Sequence, residues 1–127
     1  MRPKPSEIIA GIRAILADTI APELTGDHAR SRLAEIRAVL AQVDWDDAAF
    51  TLKRRATGLA VALRDALQWV DRLPDPPAQE SFDAYLDYWE ALGACAIGAL
   101  DRLNVHLDDR PDDTDAWSCR HRILAAL

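Results

Sequence analysis

Apolar residues recur along most of the chain at alternating steps of three and four positions. The repeat is clearest at Ala29, Leu33, Ile36, Leu40, Val43, Leu52, Ala56, Leu59, Leu63, Ala66 and Val70. Because an α-helix has 3.6 residues per turn, this spacing keeps one face of each helix apolar. We find no strand-like alternation of apolar and polar residues. The pattern therefore predicts an all-α fold.

Capping and helix-breaking residues divide the first part of this pattern into two helices. The first helix is predicted from an N-cap at Ser6 to the residue before Pro22. The second helix is predicted from a cap at Thr25 or Asp27 to about Gln42. Because the break between them is short, we expect the two helices to be antiparallel neighbours.

Three further helices are predicted in the rest of the chain. The third is expected to extend from a cap at Asp44 to about Leu73, before a proline-rich turn. The fourth carries the apolar face from Phe82 to Leu103, and the acidic stretch 108–115 is expected to be a solvated loop that caps a short last helix. The predicted architecture is an antiparallel up-and-down four-helix bundle with an additional short C-terminal helix, as one domain over residues 1–127.

Composition and charge limit the expected partners. Half of the 127 residues are apolar and 28% are charged, which is typical of a globular protein. The formal net charge of -6 disfavours nucleic acid, whose binding depends mainly on cations that neutralise phosphates. Only Lys4 and Lys53 are lysines, so there is no polybasic patch for a membrane surface. We find no apolar signal segment and expect a cytoplasmic protein.

The chain lacks the motifs that most catalytic and cofactor sites require. It has no Glu-x-x-His pair for a di-iron bundle, no close cysteine pair and no phosphate-binding glycine loop. Cys95 and Cys119 are expected to be idle thiols rather than a disulfide, and His106 is expected to be solvated or a cap after the fourth helix. We therefore predict no metal and no cofactor, and the absence of motifs favours a protein that is not an enzyme.

Arg55 falls within the apolar arc that Leu52 and Leu59 define on the third helix. Its stem can pack while its guanidinium reaches the rim or a carboxylate. Alternatively, Arg55 and Arg32, at the edge of the second helix, could line a pocket that binds an anionic metabolite. The two alternatives stay open at the level of sequence.

Three apolar or aromatic residues lie outside the main arcs. Phe50 and Val61 are on the far side of the third helix, and Tyr88 is at the edge of the arc of the fourth helix. Another helix of the same chain could cover them. Alternatively, they belong to a surface for a second protein chain.

The first third of the chain resembles a known group of proteins. The similarity is carried by Arg2-Pro3, Ser6-Glu7-Ile8-Ile9, Ile12-Arg13, Leu16 and Ile20-Ala21-Pro22-Glu23-Leu24. These residues resemble the start of small bacterial all-helical proteins encoded beside aminoglycoside-phosphotransferase-like kinases and acyl-CoA dehydrogenases. The resemblance implies an all-helical accessory protein and supplies no catalytic residues.

The leading functional hypothesis is a non-catalytic helical module that forms homo-oligomers or binds an enzyme partner. The alternative is a small all-helical enzyme or binding protein for an anionic metabolite, with Arg55 and Arg32 in its pocket. The wide apolar arcs favour the first hypothesis, and the position of Arg55 motivates the second.

Overall fold

The structure is a computed structural model that describes residues 2–127, with the side chain of Ala49 excepted. Residues 2–127 contain five α-helices and no strand, which confirms the all-α prediction. The helices are α1 (Pro5–Ile15), α2 (Asp27–Gln42), α3 (Ala48–Arg64), α4 (Phe82–Asp109) and α5 (Thr114–Ala126).

The chain divides into two compact units, with the boundary between Ala48 and Ala49. The first unit, which we name the N-terminal hairpin, contains α1 and α2. The second, the C-terminal unit, contains nearly all of α3 together with α4 and α5. The single domain over residues 1–127 stays a prediction.

The first helix begins earlier than predicted and changes its geometry before Pro22. The N–H of Lys4 donates to Glu7 Oε2 at 3.0 Å, so the cap predicted at Ser6 is wrong. After α1 the chain forms a π-helical turn, Leu16–Ile20, and a 3-10 turn, Ala21–Glu23. Pro22 has no N–H to continue an α-helical ladder, which is consistent with these irregular turns.

The two helices of the N-terminal hairpin are antiparallel, as predicted. Ser6, in the first turn of α1, donates its N–H to Asp46 Oδ1 at 2.9 Å and its hydroxyl to Asp46 Oδ2 at 2.7 Å. Asp46 follows the end of α2, so the start of one helix lies beside the end of the other. The end of α2 at Gln42 agrees with the prediction, whereas its N-cap residue is Gly26.

The third helix is shorter than the sequence predicts at both of its ends. It begins at Ala48, not at Asp44, and it ends at Arg64, not at Leu73. A short 3-10 turn, Leu67–Trp69, follows, and residues 70–81 form no further helix. The apolar spacing continues through Val70, but Val70 has an extended backbone, with a ψ of 128°.

Side-chain caps begin the last two helices. Ser81 accepts the N–H of Ala84 at 3.2 Å at the start of α4, and Asp113 accepts the N–H of Ala116 at 3.1 Å at the start of α5. The prediction that the acidic loop caps the last helix is therefore confirmed. The loop itself begins later than expected, because α4 extends to Asp109.

The C-terminal unit has a continuous apolar core that α3, α4 and α5 build together. Its buried residues are Ala56, Leu59, Ala60, Ala62, Leu63, Ala66, Tyr88, Leu92, Ala96, Ala99, Leu103, Leu107, Ala116, Cys119 and Ile123. In the N-terminal hairpin, by contrast, Leu33 is the only buried hydrophobic residue among those described.

A search of the described helices for one long and apolar enough to cross a bilayer finds none.

Candidate interaction surface

The helix α1 exposes a row of isoleucines. Ile8, Ile12 and Ile15 are spaced by four and three residues, so they lie on one side of the helix. Their exposed fractions are 50%, 41% and 57%. A solvent-facing helix normally places polar residues at such positions, so this row is unusual for a surface that stays in water.

The helix α2 exposes a second row of the same kind. Ile36 is 51% exposed and Val39 is 59% exposed. Val43, which directly follows α2, is 38% exposed. The three residues are again separated by three and four positions, so each helix of the hairpin carries one exposed apolar row.

The two exposed rows lie on the same side of the hairpin. Ile9 and Leu16 are half-buried, as is Leu40, and Leu33 is buried; these four mark the line along which α1 and α2 pack. An α-helix turns by about 100° per residue, so the angle around the helix axis between the exposed row and the packing line follows from the residue numbers. This angle is about 80° on both helices, and it has the same rotational sense on each. Because the helices are antiparallel, equal rotations bring both rows to one side. We name this surface the hairpin face; it comprises Ile8, Ile12, Ile15, Ile36, Val39 and Val43.

The charged groups nearest to this face are Arg32 and Glu35, and Arg32 lies in line with the exposed row of α2, one turn before Ile36. Arg32 donates to Glu35 at 2.9 Å, and the side chains of both residues are more than half exposed. Arg13 and Arg37 lie on the opposite flank of the packing line, and their Nε atoms are buried without a hydrogen-bond partner. The hairpin therefore has one mainly apolar side and two arginines on the opposite flank.

The guanidinium of Arg55 already has partners within the C-terminal unit. It lies 4.8 Å from the centroid of the Trp89 ring, and its Nη2 donates to the carbonyl oxygen of Leu127 at 2.9 Å. Arg55 and Arg32 belong to different units. The ligand site that the two arginines would form stays a prediction.

The three residues proposed from the sequence for partner binding lie in different surroundings. Phe50 is 59% exposed and lines a groove of about 250 Å³ with Lys53 and Glu80, which form an ion pair. Val61 is 47% exposed and lines a shallow groove between α3 and α5. Tyr88 is only 7% exposed and belongs to the core, so it contributes little to an outer surface.

His106 connects three parts of the C-terminal unit. Its Nε2 lies 2.7 Å from Asp113 Oδ2, and its ring lies 4.7 Å from that of Trp69. The hydrogen bond from His106, together with the backbone N–H of Ala116, lowers the pKa of the Asp113 carboxyl. His106 lies within α4 rather than after it, so the predicted end of the fourth helix was wrong and its side chain joins α4 to the cap of α5.

Arg102 connects α4 to the segment that follows α3. Its Nη1 donates to the carbonyl oxygen of Trp69 at 2.8 Å, and its Nη2 forms an ion pair with Asp71. A Cβ at Gly98 would lie 3.4 Å from the Arg102 Nη1, so Gly98 leaves room for this side chain to fold along α4.

The remaining candidates for chemistry are sparse. Both cysteines are free; Cys119 is buried, and burial raises the pKa of the Cys95 thiol. Among residues 2–127, no three His, Cys, Asp or Glu side chains are close enough together to hold a metal ion.

Comparison of the chain with protein-family models, with curated proteins and with solved structures finds no match.

Proposed function

We propose that this protein is a helical interaction module and that the hairpin face is its binding surface. The observation that carries the proposal is the composition of this face, in which six Ile and Val side chains are each 38–59% exposed and none is charged. An apolar surface of this kind is typical of protein interaction sites, because contact with a partner removes it from water.

The weak packing of the hairpin supports the same function. Two helices with one buried hydrophobic residue gain little stability from their own packing. A partner that covers Ile12 and Val39 would supply the missing half of a core. Binding and the stability of the hairpin are then coupled, as for any ligand that binds only the folded state.

Two finer sequence predictions bear on this proposal. An antiparallel up-and-down four-helix bundle within one chain would cover the hairpin face, so it is the packing that competes with the proposal, whereas a cytoplasmic location is the expected setting. The alternative function, binding of an anionic metabolite through Arg55 and Arg32, gains no support from their contacts, since each already has a partner.

The test compares two substitutions of the same chemistry. Val39→Asp places a carboxylate in the hairpin face, and Val105→Asp places one at an exposed position of α4 that is 67% exposed. Each full-length variant is purified from the natural host, and the mass of its assembly is measured by native mass spectrometry. We expect the wild type and Val105→Asp to form the same assembly and Val39→Asp to be recovered as the 14.1 kDa chain. Equal assembly of both variants would contradict the proposal.

A further inference from the structure

We infer that the occupant of the hairpin face is a second copy of this chain, so that two N-terminal hairpins pair into an intermolecular four-helix bundle. This inference rests on the proposed function and adds the identity of the partner. Two antiparallel helices with one apolar side have the form of half of such a bundle. A two-fold axis would place the hairpin face of one copy against the same face of the other.

The area of the face fits a reversible dimer. Complete burial of an Ile or Val side chain removes roughly 100 Å² of apolar surface from water, so six half-exposed residues leave roughly 300 Å² in each copy. Interfaces are about 60% apolar, so two such faces with their polar rims correspond to roughly 1,000 Å² in total. This is at the lower limit of specific interfaces and favours a dimer that dissociates on dilution.

The charges around the face are compatible with self-pairing. None of its six residues is charged, and Arg32, which lies in line with the α2 row, is paired with Glu35, so two copies can meet without burying an unpaired charge. This ion pair carries one charge of each sign, and a second copy brings the same pair. The two pairs are therefore neutral in sum, which a face with charges of one sign could not achieve.

Two other groups of exposed apolar residues have charged side chains among them. On α4, Ile97 and Val105 are 62% and 67% exposed, but Asp101 lies between them on the same side of the helix. The groove beside Phe50 contains the ion pair of Lys53 and Glu80. In contrast, the row of Ile8, Ile12 and Ile15 on α1 has no charge within it.

Sedimentation equilibrium of the purified full chain tests the inference. We expect the average mass to rise from 14.1 kDa toward twice that value across the micromolar range. Val39→Ala removes apolar area from the face while it improves helix propensity, so loss of association cannot be attributed to a melted helix. We expect it to weaken dimerisation by roughly tenfold, because each dimer loses two side chains. The matched change Val105→Ala is expected to leave dimerisation unchanged.

The outcomes separate this inference from the proposed function. A mass of 14.1 kDa at every concentration would overturn the second-copy inference. Carbene labelling of the same monomer then tests the proposed function. If Ile12 and Val39 are labelled, the hairpin face is exposed and a different protein can bind it. If they are not labelled, the face is covered within the chain, which would overturn both the second-copy inference and the proposed function. Equal weakening by Val39→Ala and Val105→Ala would place the interface elsewhere and would also overturn the inference.

Discussion

Both units of this chain are built from amphipathic helices, but they differ in how much of the apolar surface of these helices is buried. In the C-terminal unit, three helices surround a core in which Leu59, Leu63, Leu92, Leu103 and Ile123 are completely buried. In the N-terminal hairpin, two helices bury Leu33 and leave the six residues of the hairpin face exposed. In the hairpin, the apolar arc of each helix is wider than the one neighbouring helix can cover. A wide arc beside a single neighbour therefore indicates that the unit does not complete its own core.

The largest contrast is expected from shortening a leucine in each unit. Leu103→Ala leaves a cavity at a position that is 0% exposed, and we expect it to lower the free energy of unfolding by about 2–5 kcal/mol. Leu33→Ala is expected to cost less, near the lower end of that range, because Leu33 is 7% exposed and has one neighbouring helix within its unit. Urea unfolding followed by circular dichroism measures both. A larger loss for Leu33→Ala would contradict the contrast.

A smaller contrast is expected from Asp46 and Asp113, two carboxylates that each form hydrogen bonds within one unit. Hydrogen bonds from Ser6 lower the pKa of Asp46, and the hydrogen bond from His106 is the main reason why the pKa of Asp113 is lowered. A carboxyl whose pKa is lowered by folding stabilises the folded state above its ordinary value of 3.8, and this contribution is lost as the pH falls through the lowered pKa.

Asp46→Asn and Asp113→Asn are the matched variants for this effect. At neutral pH we expect both to lower the midpoint of thermal unfolding, with loss of α2 signals for the first and of α5 signals for the second. Below pH 3.8 the difference from the wild type should shrink, because the wild-type carboxyls become protonated. Thermal melts followed by NMR at several pH values report each unit separately. A difference that is constant with pH would contradict the assignment.

The smallest effect is expected at glycines inside helices. A Cβ at Gly11 in α1 or at Gly93 in α4 would meet no atom within 4 Å. We expect Gly11→Ala and Gly93→Ala each to raise the free energy of unfolding by about 0.5–1 kcal/mol, because alanine restricts the unfolded chain and favours the helix. Urea unfolding checks this, and a destabilised Gly93→Ala would reveal a close contact at that position.

The features that the sequence predicts well are those that local chemistry determines. The helical period is a property of neighbouring turns, so the all-α fold and the end of α2 at Gln42 could be predicted. The cap of α5 could also be predicted, since Asp113 bonds to Ala116 only three residues away.

The features that the sequence does not predict depend on distant residues. The apolar spacing continues past Arg64, yet α3 ends there, and the carbonyl oxygen of Trp69 in the following turn accepts a hydrogen bond from Arg102, 33 positions later. Similarly, Ser6 resembles a cap but bonds to Asp46, 40 positions away. Neither pairing leaves a sign in the local pattern.

The candidate surface was missed for a related reason. The isoleucines of α1 belong to the apolar stripe that predicts the helix, but periodicity does not tell which part of a wide stripe a neighbour covers. Only the antiparallel placement of α1 and α2 separates Ile9, which lies on the packing line, from Ile12, which remains exposed. The sequence gives one clue, which is the width of the apolar arc on α1. This arc is wider than the contact with a single neighbouring helix requires.

Hydrogen exchange of the full chain at several protein concentrations tests the difference between the two units most directly. If the hairpin is completed by a second copy, protection of the amides of α1 and α2 should increase with concentration, because association stabilises the folded hairpin. Protection in α4 should stay constant, because its core is closed within one chain. Protection of α1 and α2 that is independent of concentration and as strong as that of α4 would contradict this account.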